Sequence, residues 1–323
     1  MGDNFLLGER SVARIGFGAM QLAGPGAFGP PRDRAAALEV LRKAVELGIN
    51  HIDTAQYYGP DVVNELIRTA LHPYPGDLVL VSKVGAQRDS AGRWIPALHP
   101  EDLRAAVQDN LRSLAVERLD AVNLRLPDDN TAPYDFKALL DAMIAIRDEG
   151  LIAGIGLSNT TRDRLLEAVH HTEIVCVQNA LNLLNRDSLP ILRECQELGI
   201  AFVPFFPLAS AFGGVNHLLT HPTLTATAHR LRALPSQVAL AWLLNLAPNV
   251  LLIPGTSSLP HLIDNTTTTR IHLDQEAQEA LNTLTPEALT LATPPLLTHR
   301  RCPRHPQPRD PPPTTRPPTA GLS

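Results

Sequence analysis

Short apolar runs that end in a polar turn recur along the chain, each followed by the three-to-four-residue apolar repeat of an amphipathic helix. The runs cover residues 12–17, 49–53, 78–83, 119–124, 152–157, 174–178, 201–206 and 250–253. Helix patterns over 33–47, 61–71, 101–114, 135–148, 162–170, 188–198 and 235–246 lie among them. Some begin with acids in the first turn, as at Glu101 and Asp102 after Pro100, where a negative charge complements the helix dipole. Several stop at glycine (Gly48, Gly150, Gly199), which takes a left-handed cap without steric cost.

Eight strand-like runs alternating with helices over roughly 250 residues predict an α/β fold. Runs that are apolar on both faces require a parallel sheet, and this count and length fit a closed (β/α)8 TIM barrel better than a doubly wound sheet. No GxGxxG follows the first run, as a Rossmann domain would demand. Residues 5–12, with Gly8-Glu9-Arg10 as the turn, read as an N-terminal β-hairpin that closes the bottom of the barrel. One further helix pattern covers 273–284, and the threonines 266–269 read as a frayed helix end. From about Thr293 the chain is rich in Pro, Thr and Arg with no apolar periodicity, so 1–292 is expected to form the barrel and 293–323 a disordered tail. Within it, 310–318 has the character of a polyproline II segment that can sit in an SH3-like groove, or of a passive tail.

Charge sharpens this division. The net charge is −5, but from Arg300 onward five arginines face the single Asp310, leaving +4 there and −9 on the rest. An acidic body without a basic face argues against a nucleic-acid partner. No run of 18 apolar residues and no apolar leader is present, so neither a membrane-spanning helix nor a signal peptide is expected. Cys176, Cys195 and Cys302 form no CxxC pair, consistent with a reduced, cytoplasmic setting. The twelve histidines show no metal-ligand spacing, and His170-His171 follows a helix pattern as a solvated turn.

In a (β/α)8 barrel, chemistry sits at the C-terminal ends of the strands. Here those ends carry Asp53, Lys83, Arg125, Ser158-Asn159, Gln178-Asn179, Phe205-Phe206-Pro207 and Gly255-Thr256-Ser257-Ser258. Asp53, Lys83 and Tyr58 make chemical sense together. A tyrosine hydroxyl with a pKa of about 10 is a poor acid at neutral pH. An ammonium oriented by a buried carboxylate would lower that pKa and ready the phenol to protonate a carbonyl oxygen. The alternative is a structural ion pair between Asp53 and Lys83 with Tyr58 packed beside it.

The block His51-Ile52-Asp53-Thr54-Ala55-Gln56-Tyr57-Tyr58-Gly59 resembles the signature of the aldo-keto reductases, NADPH-dependent (β/α)8 enzymes. Residues 15–20, 81–83, 154–159, 177–179 and 253–258 are similar to further blocks of that family, in order, so the resemblance runs from about 5 to 285. It implies NADP(H) as cofactor and a small-molecule carbonyl as substrate, in a monomer or weak homo-oligomer. It also implies Tyr58 as proton donor with Asp53 and Lys83 as its tuning pair. Ser158, Asn159 and Gln178 would bind the nicotinamide carboxamide, and Phe205 would stack on that ring, although Phe206 could equally be the inward aromatic. Gly18, Met20, Pro207 and Leu208 would line the cofactor groove. Gly255, Thr256, Ser257, Ser258, His261 and Asn265 would hold the adenosine end. His51 is either a supporting residue behind this block or a satisfied core histidine, and Trp94 and Pro96 can wall the substrate pocket.

Two positions depart from the family pattern. Arg125 stands where most members carry a histidine; a guanidinium cannot shuttle a proton but can stabilise a developing oxyanion, grip an anionic substituent or simply pair with an acid. The 255–265 block lacks the lysine and arginine that the family often carries at the cofactor's adenosine end. Residues 18–34, with 122–125, 173–179, 203–208 and 237–244, resemble the bacterial pyridoxal reductase branch, which also implies an arginine at 125. The substrate expected on that resemblance is pyridoxal. Another carbonyl, such as a sugar or secondary-metabolite ketone, and a non-catalytic NADP-binding regulatory subunit are the alternatives.

Overall fold

The computed structural model describes residues 4–127, 133–209 and 217–284. The 293–323 tail and Cys302 lie outside the described residues.

Two short strands, β1 (Asn4–Leu7) and β2 (Arg10–Ala13), pair antiparallel around Gly8, which adopts φ +60°. The chain then alternates strands and helices. These are β3 (Phe17–Gly18), α1 (Arg34–Glu46), β4 (His51–Asp53), α2 (Val62–Leu71) and β5 (Val79–Val84). A hairpin follows, β6 (Ala86–Arg88) with β7 (Trp94–Pro96), and then α3 (Pro100–Leu114), β8 (Leu119–Arg125), α4 (Phe136–Asp148), β9 (Ile152–Ser158) and α5 (Arg162–His171). The last part carries β10 (Cys176–Gln178), α6 (Leu189–Glu197), β11 (Ala201–Phe202), α7 (Pro222–Leu231), α8 (Pro235–Leu246), α9 (Leu259–Thr266) and α10 (Gln275–Asn282).

Seven parallel strands run in the order β11-β10-β9-β8-β5-β4-β3. The segment around 250–252 closes the ring. Val250 bridges to Phe202 on one side and Leu252 to Ile15 on the other, both parallel. Leu251 N–H donates to Phe202 O at 2.9 Å and Gly16 N–H to Leu252 O at 2.7 Å. The architecture is therefore the expected (β/α)8 barrel. Alternate strand residues divide its core. Val79, Val81, Ala121, Cys176, Ala201, Val203 and Leu251 form one buried cluster, which Leu7 and Val12 of the hairpin join. Leu80, Val122, Leu124, Ile155, Leu157 and Phe202 join the larger cluster with the helices. The hairpin thus plugs the barrel bottom, as its position in the sequence predicts.

The run over 12–17 is not one strand. Arg14 interrupts it, because its buried guanidinium donates to Leu244 O at 2.6 Å, Ala247 O at 2.7 Å and Val250 O at 3.2 Å. It thereby satisfies carbonyls at the end of α8 that no further turn can reach. The 266–269 threonines are not a frayed end. Thr267–Arg270 forms a 3-10 turn directly after α9, with Thr268 buried. The β6–β7 hairpin and α7 are additions to the expected elements.

Candidate active site

Strand register sets the site. Gly18, Asp53 and Val81 align across β3, β4 and β5, and Arg125, Ser158 and Gln178 align across β8, β9 and β10. Asp53 and Lys83 are 4% and 5% exposed. Lys83 Nζ forms an ion pair with Asp53 Oδ1 and donates to Thr54 O at 3.1 Å. Gln178 Nε2 donates to the other carboxylate oxygen, Oδ2, at 2.9 Å. Both oxygens of the buried acid are therefore engaged by donors.

The turn that follows β4 carries Tyr57 and Tyr58. Tyr58 N–H donates to Ala55 O at 3.0 Å and Val63 N–H to Tyr58 O at 3.2 Å. Gly59 ends this turn at φ +87°, and a Cβ there would meet Val62 Cβ at 2.7 Å, so glycine is required on both counts. A buried polar network holds the turn from below. Thr54 Oγ1 donates to Asn64 Oδ1 at 2.8 Å, Asn64 Nδ2 donates to Asn110 Oδ1 at 3.0 Å, and Ser82 Oγ donates to the same Asn110 oxygen at 2.6 Å. It ties β4 and β5 to α2 and α3, and its members carry no recognisable motif.

Tyr58 is 7% exposed, and Lys83 Nζ lies 5.1 Å from its ring centre. Burial pushes the phenol above its ordinary range, the Asp53 charge pushes it further, and the opposing pull comes from Arg125 and Arg88. Tyr57 is also raised, mainly by burial. Burial pushes His51 down to about 4, so the imidazole is neutral. It sits against Gly16, where a Cβ would lie 2.2 Å from the ring. Cys176 is fully buried and its thiol is pushed up to about 12, consistent with inert core.

Asp53, Tyr57, Tyr58, Lys83 and Gln178 open onto a cavity of about 530 Å³. Of the residues singled out in the sequence, Gly18, Met20, Asp53, Tyr58, Lys83, Arg125, Ser158, Gln178, Phe205, Pro207, Leu208 and Gly255 line it, as do Trp94 and Pro96. Phe205 and Phe206 both line it, meeting edge to face at 4.9 Å. Asn159 is not among the lining residues; its Nδ2 donates to Leu126 O at 3.2 Å. Thr256, Ser257, Ser258, His261 and Asn265 also stand outside this cavity. Thr256 Oγ1 accepts from Ser258 N–H at 3.0 Å, Asn265 is buried and His261 is exposed. Ser257 lines a second cavity.

Arg88 was not legible as part of the site. It stacks 3.8 Å from the Trp94 ring centre and donates to Ala27 O at 2.8 Å and Gly92 O at 2.9 Å. The β6–β7 hairpin and the loop around Ala27 are thereby pinned together at the rim. Arg125 faces the same indole at 6.0 Å. The only advance signal was Trp94 itself, an aromatic in a loop after a strand end.

Residues 14–285 match the model of the aldo/keto reductase family. The chain belongs to that family. It is 48% identical over 288 residues to the pyridoxine 4-dehydrogenase of Escherichia coli K12, covering 88% of this chain and 99% of that protein. Among solved structures it is similar to a thermostable aldo-keto reductase crystallised with the inhibitor epalrestat, at TM-score 0.73 and 30% identity over 86% of this chain and 98% of the other. An aldo-keto reductase of Klebsiella pneumoniae in complex with NADPH matches at TM-score 0.73 and 25% identity, over 88% and 96% of the two chains. An aldo/keto reductase is an oxidoreductase. Among the described residues no helix is long and apolar enough to cross a membrane, and no three His, Cys, Asp or Glu side chains are grouped to hold a metal.

Proposed function

We propose that this aldo/keto reductase uses NADPH to reduce pyridoxal to pyridoxine, with Tyr58 as the proton donor. The observation that carries the reading is the convergence of Tyr58, the buried Asp53–Lys83 pair and Arg125 on one cavity. The likeness to a pyridoxine 4-dehydrogenase along nearly all of that protein supports the substrate. The likeness to a reductase crystallised with NADPH supports the cofactor.

The residues present fit the cofactor's nicotinamide end. Ser158 and Gln178 are buried polar side chains on the cavity wall, and Gln178, whose Nε2 is spent on Asp53, offers its Oε1 to a carboxamide. Phe205 supplies an aromatic wall. At Gly18 and Gly255 a Cβ would meet opposing carbonyls at 2.4 and 2.5 Å, so bare backbone lines the groove there. Bound NADPH supplies the hydride for the carbonyl carbon. The protein's part is to hold, orient and protonate. Tyr58 gives its proton to the carbonyl oxygen as charge develops there; burial makes the phenol a weaker acid, and the Arg125 and Arg88 charges offset part of that. The Arg125 guanidinium stabilises that charge on the carbonyl oxygen; with pyridoxal it also pairs with the ring's phenolate oxygen. Trp94, Tyr57 and Phe206 form the flat apolar walls that an aromatic ring needs.

The test is NADPH oxidation with pyridoxal beside a panel of sugars, aldehydes and ketones, with the product identified. Pyridoxine formed at the highest kcat/KM of the panel supports the reading. Faster turnover of another carbonyl would move the substrate. Tight NADPH binding with no turnover of any carbonyl would favour a regulatory protein.

A further inference from the structure

A second cavity, of about 640 Å³, adjoins the catalytic one: Met20 and Gln21 line both. Gly255 lines the first and Ser257 the second, so a ligand extending past this turn reaches from one into the other. The far wall is the loop between β3 and α1. That loop is folded tightly on itself. Gly24 N–H donates to Gly29 O at 3.0 Å, and a Cβ on Gly24 would meet Phe28 O at 2.5 Å and Pro30 O at 2.7 Å. Arg88 fastens it from outside through Ala27 O, and Pro25, Pro30 and Pro31 stiffen it.

At the end of this built wall stands Arg32, which lines the cavity and is exposed. Among the described residues it makes no hydrogen bond or ion pair. Its neighbours are otherwise engaged. Arg34 donates to Thr69 Oγ1 at 3.3 Å, and Asp33 caps α1 by accepting from Ala36 N–H at 2.9 Å. From the 255–265 segment Ser257 lines this cavity and offers a hydroxyl, and the segment contains no lysine or arginine. A phosphate monoester dianion needs a cation as well as such donors, and a guanidinium is the side chain best shaped for it.

We propose that Arg32 holds the 2′-phosphate that distinguishes NADPH from NADH, across the cavity from Ser257. This makes Arg32 the residue that sets coenzyme choice, and it deepens the reading of the chain as an NADPH-dependent reductase. The experiment is fluorescence titration of wild type, Arg32→Ala and Arg32→Lys with NADPH and NADH, without any carbonyl substrate. Competition by 2′,5′-ADP and 5′-AMP is measured alongside, and Tm shows that the fold is intact. The expected result is a 10- to 100-fold rise in Kd for NADPH in Arg32→Ala, an unchanged Kd for NADH, partial retention in Arg32→Lys, and loss of the preference for 2′,5′-ADP. An unchanged Kd for NADPH, or equal weakening of both coenzymes, would overturn the assignment while leaving the reductase reading standing. A wild type that binds NADH as tightly as NADPH would overturn both the assignment and the coenzyme reading. Because no carbonyl is present, a wrong substrate cannot disturb the result.

Discussion

Gln178 Nε2 lies 2.9 Å from Oδ2 of Asp53, on the carboxylate oxygen that Lys83 does not use. The acid is thereby held from the neighbouring β5 and from the non-adjacent β10, and both it and the lysine are buried. Removing one partner of such a pair leaves an uncompensated buried charge, which typically costs about 3–5 kcal/mol. Lys83→Met should lose stability in this range by urea unfolding, with reductase activity falling as well. Adding Asp53→Asn to Lys83→Met should recover part of the stability and none of the activity. Full additivity of the two changes would show that the pair is not coupled.

Arg125 borders the cavity beside Trp94 and is one of two guanidinium groups that pull the Tyr58 pKa down. Arg125→Met should lower kcat/KM for pyridoxal about 10- to 100-fold, the scale of one lost charged hydrogen bond. An uncharged aromatic aldehyde should suffer less, because it brings no phenolate to pair. The alkaline limb of the pH profile, followed with that uncharged aldehyde, should move up: removing a positive charge disfavours the phenolate. Equal kcat/KM for pyridoxal in variant and wild type would exclude this role.

His51 makes stability depend on pH. Its imidazole is held at about 4 in the folded chain against 6.5 unfolded. The unfolded chain therefore binds the extra proton first. Stability is complete above about pH 6.5, declines as pH falls, and levels off once the folded histidine also protonates near 4. The span corresponds to roughly 3 kcal/mol. Urea unfolding of wild type and His51→Gln between these limits should give a steeper pH dependence for wild type; parallel curves would contradict the assignment.

Gly18 and Gly255 face each other where the first and last strands meet. A methyl at Gly18 would come within 2.4 Å of Ile253 O, a backbone atom with little room to yield. Gly18→Ala should therefore lower Tm by several degrees, on the scale of about 1–3 kcal/mol for an overpacked core position. It should also raise the Kd for NADPH, since both glycines line the cavity. A variant with wild-type Tm and Kd would show that the strand ends are free to spread.

The barrel was readable because strand runs and helix repeats are local patterns, and hairpin, helices and strand ends fall within a few residues of their expected places. Asp53 and Lys83 were readable because they end consecutive runs, and Tyr58 because it stands in the turn after the first of them. What escaped depends on partners far away in sequence. Arg14 breaks the first run to serve carbonyls more than two hundred residues later, and Arg88 gains its place only through Ala27 and Trp94. The 86–96 hairpin has strands of three residues, too short for periodicity to register. The upward shift of Tyr58 is hidden for a related reason: residue types disclose which charges are present, but not how deeply the phenol is buried.

The most direct test of the account is the rate of NADPH-dependent pyridoxal reduction by Tyr58→Phe beside wild type, with NADPH binding measured on both. Wild type should form pyridoxine, and the variant should lose about a hundred- to ten-thousand-fold in kcat with unchanged NADPH affinity. Wild-type kcat in Tyr58→Phe would contradict Tyr58 as the proton donor.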